Sequence, residues 1–199
     1  MKIKQRKDIE KEEFKSLIFD IATEILLREG YENLSIRKIA KAAGYSPGSL
    51  YYYFDNKAEI ISMIYGENVN RISEQMGKVP LDMESPEKTL GEILKIFINL
   101  TLETPEHYRA VFMNDIEELR DKFGMLSEDN VIPNLLNLIN VGIENGRFKN
   151  ADAAITSQLI WVYTNGLVSR LILEKNLSQE RKEMIIDFHC ETMKNLLLK

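Results

Sequence analysis

Apolar residues recur along this chain at helical spacing. Phe14, Leu17, Ile18, Ile21, Ala22, Ile25 and Leu26 follow one another by steps of three, one, three, one, three and one, the stripe of an amphipathic helix. The stripe predicts a first helix from about Asp8 to Glu29, stopped at Gly30. Ser35 is placed to cap a second, in which Ile36, Ile39, Ala40 and Ala43 repeat the pattern. Gly44 ends it, because glycine accepts the left-handed backbone of a tight turn. Ser46 caps a third, with Pro47 at its first position, where the missing N–H costs nothing. A fourth begins near Lys57 and fades around Lys78-Val79-Pro80, and Pro80 to Pro86 reads as a loop. Ser85-Pro86 opens a helix to about Thr104, and Pro105 opens another to about Phe123. Ser127 to Glu144, Ala151 to Lys175, and a last segment capped by Ser178 and running to Leu198 complete the series. Strand-type alternation survives nowhere for more than a few residues. The expected class is all-α, with about nine helices and no internal repeat.

Composition narrows the function. With 199 residues, 44% of them hydrophobic, and only 10 Gly and 5 Pro, the chain can bury a sizeable core and is not a disordered segment. The most apolar run, Gln158 to Leu173, is interrupted by Asn165, Ser169 and Arg170, so no membrane span is expected. The basic start Met1-Lys-Ile-Lys-Gln-Arg-Lys leads into charged, amphipathic sequence instead of a signal core. The single Cys190 excludes an intramolecular disulfide and fits a reducing cytoplasm. Two histidines and one cysteine are too few for a His/Cys metal site, and no metal or other cofactor is expected. Residues 1–60 carry 11 Lys+Arg against 10 Asp+Glu, and residues 61–199 carry 15 against 21, which together make the net charge of −5. A near-neutral front and an acidic rear suggest two jobs in one chain.

The stretch from Ser35 to Phe54 carries the chemistry. Two short capped helices around a Gly-centred turn form a helix-turn-helix, whose second helix enters the major groove of DNA. At about 100° per residue, Leu50 and Phe54 share the face that packs on Ile36, Ile39 and Ala40. Gly48 and Tyr52 fall nearly opposite, with Ser49 and Tyr51 on the flanks, where hydroxyls meet base edges or phosphates. Lys57 sits just beyond, near a helix N-terminus that itself favours phosphate. A competing reading makes the three tyrosines an aromatic cluster tying helices together. For Tyr53 the two readings stay open.

Residues 11 to 64 resemble the N-terminal domain of the TetR family of bacterial transcription regulators. The string Ile21-Ala-Thr-Glu-Ile-Leu-Leu-Arg-Glu-Gly-Tyr-Glu-Asn-Leu-Ser-Ile-Arg-Lys-Ile-Ala-Lys-Ala-Ala-Gly matches in order and spacing. Ser46-Pro-Gly-Ser-Leu-Tyr-Tyr-Tyr-Phe and Asn56-Lys57-Ala-Glu-Ile match as well. The resemblance implies that Gly48, Ser49 and Tyr51 touch bases and that Ser35, Arg37, Tyr52, Tyr53 and Lys57 touch phosphates. Tyr45 departs from it, since the family usually has a smaller aliphatic residue in that turn. Trp161-Val-Tyr-Thr-Asn-Gly-Leu167, with Pro105-Glu-His-Tyr-Arg-Ala-Val-Phe112 upstream, resembles the subgroup named for a Trp, His and Gly signature, here with Asn165 at the histidine position. Glu144-Asn-Gly-Arg-Phe148 resembles the turn before the family's dimerisation helices.

The expected organisation is a helix-turn-helix DNA-binding domain over residues 1–56 and a helical ligand-binding and dimerisation domain over 57–199. Ile155, Leu159, Val162, Gly166 and Ile172, with Ile185, Phe188, Thr192, Leu196 and Leu197, supply more apolar surface than one helical layer needs. The resemblance implies that they pair in a four-helix bundle between two chains. Phe97, Thr101, Tyr108, Phe112, Leu138, Trp161, Tyr163 and Asn165 mix apolar bulk with sparse polar groups, as an effector pocket does, although any one of them could simply fill a core. No basic cluster lies among them, which favours a hydrophobic effector over a phosphorylated one. His189-Cys190 is read as interface packing, His107 as a surface or pocket residue, and Asp115, Glu117, Glu118 and Asp121 as a solvated face. Met113, Met125, Met184 and Met193 are read as core or interface filling. The expected protein is a homodimeric regulator, a repressor in its simplest form, bound to a palindromic operator and modulated by a small hydrophobic molecule. No nucleophile–base pair supports the rival reading as a helical enzyme. A helical adaptor that keeps the helix-turn-helix only as packing is the other rival.

Overall fold

The computed structural model describes residues 2–113, 133–174 and 176–199. Among them are nine α-helices: α1 (Lys2–Glu29), α2 (Ile36–Ala43), α3 (Pro47–Tyr51), α4 (Lys57–Gly77), α5 (Pro86–Glu103), α6 (Pro105–Phe112), α7 (Pro133–Glu144), α8 (Ala153–Leu173) and α9 (Gln179–Leu197). A single 3-10 turn, Tyr31–Asn33, follows α1, and an isolated antiparallel bridge joins Phe148 to Leu198. The class is all-α.

Most helix ends form for the reasons legible in the sequence. The side chains of Ser35, Ser46 and Ser178 each accept the backbone N–H three residues on, at 3.2 Å. Gly44 takes the left-handed conformation, φ 74° and ψ 22°, that lets the chain turn sharply into α3. Four expectations change. α1 begins at Lys2, well before Asp8, because Lys, Gln and Arg are strong helix formers and no breaker precedes them. Ser85 makes no capping bond. Asp82 holds that turn instead, accepting from the N–H groups of Glu84 (2.9 Å) and Ser85 (2.8 Å). α8 starts at Ala153 under an Asp152 cap rather than at Ala151, and ends at Leu173. α6 ends at Phe112, and the stretch expected to carry it to Phe123, the start at Ser127 and the residue Lys175 lie outside the described residues.

The residues pack as two compact units. The first lies within Met1–Val69 and Glu106–Lys122, the second within Asn70–Pro105 and Phe123–Lys199. Residue 56, where the sequence suggests a domain boundary, immediately precedes α4; the units part further along, inside that helix. In the first unit Ile18, Ala22, Ile25 and Leu26 of α1 are buried with Leu34, with Ile36, Ile39 and Ala40 of α2, and with Leu50 and Phe54. Ile60, Ile61, Ile64 and Tyr65 of α4 and Tyr108, Ala110 and Val111 of α6 complete this core.

In the second unit α5 is the central helix, packed against α7, α8 and α9 and burying Leu90, Ile93, Leu94, Phe97 and Ile98. Its first turn is tied by an ion pair between Glu87 and Arg147. The guanidinium hydrogen-bonds the Glu87 carboxylate and holds it below the usual carboxylate range, against the burial that opposes ionisation. After α7 the chain folds back sharply. The Phe148 N–H donates to the Gly142 carbonyl at 2.7 Å, and the Lys149 N–H donates to the Leu197 carbonyl at 2.8 Å. This lays the Phe148 ring, 1% exposed, directly on Gly142, where a Cβ would fall inside the ring. Helix propensity alone predicts that Gly142→Ala stabilises α7 by about 1 kcal/mol. The ring contact predicts the opposite, a loss of about 1–3 kcal/mol from overpacking. Denaturant titration decides between the two signs, and the loss is the expected one.

Candidate functional site

α3 has five residues, too few to be stable alone. It is held from its buried side by Leu50, 0% exposed, and by the Ser46 cap, and the N–H groups of Tyr53 and Phe54 both donate to the Leu50 carbonyl at 2.9 Å. The opposite side is open. Tyr52 is 83% exposed, Tyr51 55%, Gly48 is exposed and Ser49 half-buried, its hydroxyl 2.9 Å from that of Ser46. Gly48 has no positive φ, and a Cβ there would meet only the Ser46 hydroxyl at an ordinary 3.8 Å. Nothing described in the chain requires a glycine that costs about 1 kcal/mol in a helix. A bare backbone edge at that point suits a partner that comes very close.

The tyrosines divide. Tyr53, half-buried, lies on Phe14 of α1 with ring centroids 4.4 Å apart, and Tyr52 meets its edge at 5.0 Å. Tyr45, bulky in the turn, is accommodated because Phe14 receives it edge to face at 5.0 Å. The sequence reading did not single out this brace of Phe14, Tyr45 and Tyr53, although the aromatic at Tyr45 was its signal. Beside it lies an open groove of about 610 Å³ lined by Glu13, Phe14, Leu17, Tyr45, Ser49, Tyr52 and Tyr53.

The candidate phosphate contacts sit around this edge. Arg37 and Ser35 are exposed, the Ser35 hydroxyl already accepting the Lys38 N–H. Lys57 donates to the Tyr31 carbonyl at 3.0 Å and stands 3.5 Å over the Tyr31 ring, and burial lowers its pKa. An ammonium has three donors, so one bond to the 3-10 turn leaves others for an anion.

The candidate effector residues fall in both units. Tyr108, 4% exposed, packs on Phe112 at 4.8 Å, and Phe112 meets Tyr65 of α4 at 5.5 Å. Burial pushes the Tyr108 phenol up to about 12 and Tyr65 higher still, so both remain neutral. In the second unit Phe97 lies against Trp161 at 4.3 Å. Thr101 is buried and donates to the Phe97 carbonyl at 2.7 Å; Asn165 is buried and donates from Nδ2 to the Trp161 carbonyl at 3.0 Å. Leu138 is buried, and Tyr163 is 51% exposed. His107 is buried in α6 rather than on the surface.

α8 and α9 show a different surface. Ile155, Leu159 and Val162 are exposed on α8, and Phe188 (76%) and Leu196 (51%) on α9, with Gly166 and Thr192 exposed among them. Ile185 is half-buried; Ile172 and Leu197 are buried within the unit. Tyr163 and Met184 join the outward stripes, the latter by its spacing of four from Phe188. Thr164 ties the two helices. Its hydroxyl donates to the Ile160 carbonyl at 2.7 Å, so the ring Nε2–H of His189, 3.0 Å away, donates to it, and burial keeps that imidazole neutral. Burial also raises the Cys190 thiol to about 11, so it carries no thiolate at neutral pH. Met193 is buried and Met113 half-buried. Met125 and the acidic residues Asp115, Glu117, Glu118 and Asp121 lie outside the described residues.

Known proteins resemble this chain in sequence and in fold. Residues 18–64 match the family model described as bacterial regulatory proteins, tetR family. The fatty acid metabolism regulator protein of Bacillus subtilis is 28% identical over 152 residues, which are 72% of this chain and 76% of that protein. A TetR-family transcriptional regulator from Syntrophomonas wolfei has the same fold, with a TM-score of 0.70 at 19% identity, covering 92% of this chain and 95% of that one. RolR in complex with resorcinol also shares the fold, with a TM-score of 0.70 at 13% identity, covering 96% and 90%.

Gly48 gives the sharpest test of the exposed edge. Gly48→Ala is expected to raise thermal stability slightly, by about 0.5–1 kcal/mol, and yet to weaken DNA binding. Tyr51→Ala is expected to cost roughly 1–3 kcal/mol of binding to specific sequence. Calorimetry and a gel-shift titration on the same samples read both quantities. Unchanged DNA binding in both variants removes α3 from the interface.

Proposed function

We propose that this chain, whose residues 18–64 match the tetR-family model, is a DNA-binding transcriptional regulator of that family and acts as a homodimeric repressor of a palindromic operator, relieved by a small hydrophobic molecule. Its relatives and fold neighbours are transcriptional regulators, not enzymes. The observation that carries the reading is the open edge of α3, from Gly48 to Tyr52, on a helix otherwise pinned by Leu50. Gly48, Ser49 and Tyr51 would read bases, and Ser35, Arg37, Tyr52 and Lys57 would hold phosphates. Such a protein works in the cytoplasm, where the DNA is. Among the described residues no helix is long and apolar enough to cross a membrane.

The outward stripes of α8 and α9 support the dimer. A two-fold axis uses one patch twice, so Phe188 and Leu159 would bury themselves against their own copies and set two α3 helices one helical turn of DNA apart, about 34–36 Å, or somewhat more. Phe188→Asp is expected to give a monomer by light scattering and to abolish operator binding while leaving helix content unchanged. A parent protein that is monomeric at micromolar concentration rejects the dimer.

For the effector, the aromatic contact of Phe97 with Trp161 and the buried amide of Asn165 support an apolar site in the second unit, within a segment resembling the Trp-His-Gly subgroup. Fatty-acyl compounds, by analogy with the Bacillus relative, and small phenols, by analogy with resorcinol-bound RolR, are the first candidates. α4 contributes residues to both units and would carry the signal. A ligand shifts operator affinity only by its differential affinity for two states. The expected coupling is about 1–3 kcal/mol, a 5- to 150-fold loss of DNA binding. It is read by titrating operator binding with each compound in the parent and in Trp161→Ala. Tight binding by the parent with unchanged DNA affinity rejects the switch.

A further inference from the structure

The second unit contains a hollow of about 190 Å³ whose lining includes neither Phe97 nor Trp161. Ile139 of α7, Phe148, Ile160 of α8 and Leu197 of α9 form its floor, each no more than 6% exposed. Leu159 and Leu196 line it as well and are 47% and 51% exposed, so they form its open side. Protein interiors are close-packed, and holes larger than a water molecule are few. This one is held open by backbone bonds. The Phe148 and Lys149 N–H groups donate to the Gly142 and Leu197 carbonyls, which ties the connection after α7 to both α7 and α9. The Asp152 cap fixes the start of α8. Walls pinned in this way lose little freedom when the hollow is filled.

Two lining side chains carry polar groups. The Thr156 hydroxyl donates to the Asp152 carbonyl at 2.6 Å and is left to accept only. The Lys149 ammonium donates to the Leu196 carbonyl at 3.0 Å, and an ammonium has further donors to give. No Asp or Glu is among the lining residues. The hollow therefore offers apolar walls and one exposed cation. Its size limits what fits. An apolar cavity of about 150 Å³ takes benzene, while drug-sized ligands need about 300 Å³ or more. A single aromatic ring with one small substituent matches the space, and a carboxylate as that substituent matches the charge. Held on the open side, the carboxylate keeps part of its hydration and avoids the cost of burying an ion.

We propose that this hollow is a binding site for small aromatic carboxylates, with the ring between Phe148 and Ile160 and the carboxylate on the Lys149 ammonium. The site is complete within one chain. It is separate from the effector site proposed around Phe97 and Trp161, and it stands whether or not the chain represses an operator. Leu159 and Leu196 also belong to the stripes proposed for the dimer, so the competing occupant is a side chain of a second copy.

The test titrates 4-fluorobenzoate and its neutral counterpart 4-fluorobenzamide into the full chain, followed by fluorine NMR. Saturable binding of the carboxylate is expected. Ala151→Phe, at an exposed lining position, is expected to fill the hollow and abolish it, with helix content unchanged by circular dichroism. Lys149→Gln is expected to weaken 4-fluorobenzoate by up to about fivefold, as loss of a partly exposed ion pair does, and to leave 4-fluorobenzamide unchanged. Trp161→Ala is expected to bind both probes like the parent. Binding that does not saturate, that survives Ala151→Phe, or whose preference for the carboxylate survives Lys149→Gln overturns the site. Loss in Trp161→Ala with retention in Ala151→Phe moves the probe to the other pocket and overturns it too. Phe188→Asp is expected to bind the probe like the parent. Binding by that variant alone shows that a second copy fills the hollow, and overturns the site in the assembled protein. A parent that proves monomeric and still binds the probe supports the site and overturns only the dimer.

Discussion

The exposed edge of α3 depends on the burial of one side chain, Leu50. A five-residue helix fixes many dihedrals for very few hydrogen bonds, and nucleation is unfavourable. The Ser46 cap contributes about 1 kcal/mol, less than nucleation costs. Fully burying a leucine contributes roughly 1.5–3 kcal/mol, so packing is what makes α3 a helix. The consequence is geometric. Every exposed group on α3 takes its position from the core of Ile36, Ile39, Ala40 and Phe54, and the open side is as rigid as that core. The Phe14 brace and the bond from Lys57 to Tyr31 fix the two neighbouring segments onto the same body.

Features with a local cause were legible in advance. The inward stripe of α1, the Ser35, Ser46 and Ser178 caps and the turn at Gly44 each follow from a few adjacent residues, and all are present. The start of α1 was not, because the continuous apolar stripe begins only at Phe14, and the residues before it are helix formers without a cap or breaker to mark an end. Ser85 looked like a cap, yet the Asp82 carboxylate, three residues earlier, takes the N–H groups of that turn. α8 defeats periodicity for a different reason. It buries Ile160, Val168 and Leu171 on one side and exposes Ile155, Leu159 and Tyr163 on the other, so spacing cannot say which apolar face meets the chain's own core. The same limit applies to the apolar segments around Tyr108 and Phe97. They look alike in sequence and pack on Tyr65 in one unit and on Trp161 in the other.

The outward faces of α8 and α9 are held before anything covers them. Thr164 and His189 link the two helices, and Lys95 of α5 pairs with Asp187 at 2.5 Å. A surface already ordered loses less conformational freedom on association, and that lost freedom is a large part of what binding costs. The exposed Phe188 ring is therefore displayed from a fixed base, the arrangement a specific symmetric contact needs and a mobile apolar segment would lack.

An acidic chain with a net charge of −5 reconciles with DNA through distance and availability. At about 0.1 M salt, charges more than ~10 Å apart are largely screened, so the net charge of the whole chain matters little at any one site. The local supply of cations matters more, and it is small. Lys38 is committed to Glu29 and Lys57 partly to Tyr31, while Arg37 and Lys41 stand exposed on α2. Around α3 the groups facing outward are instead hydroxyls and a bare glycine, which gain little from an arbitrary phosphate and much from a correctly spaced base edge. On the proposed reading, a site built this way would bind weakly to DNA at large and discriminate well.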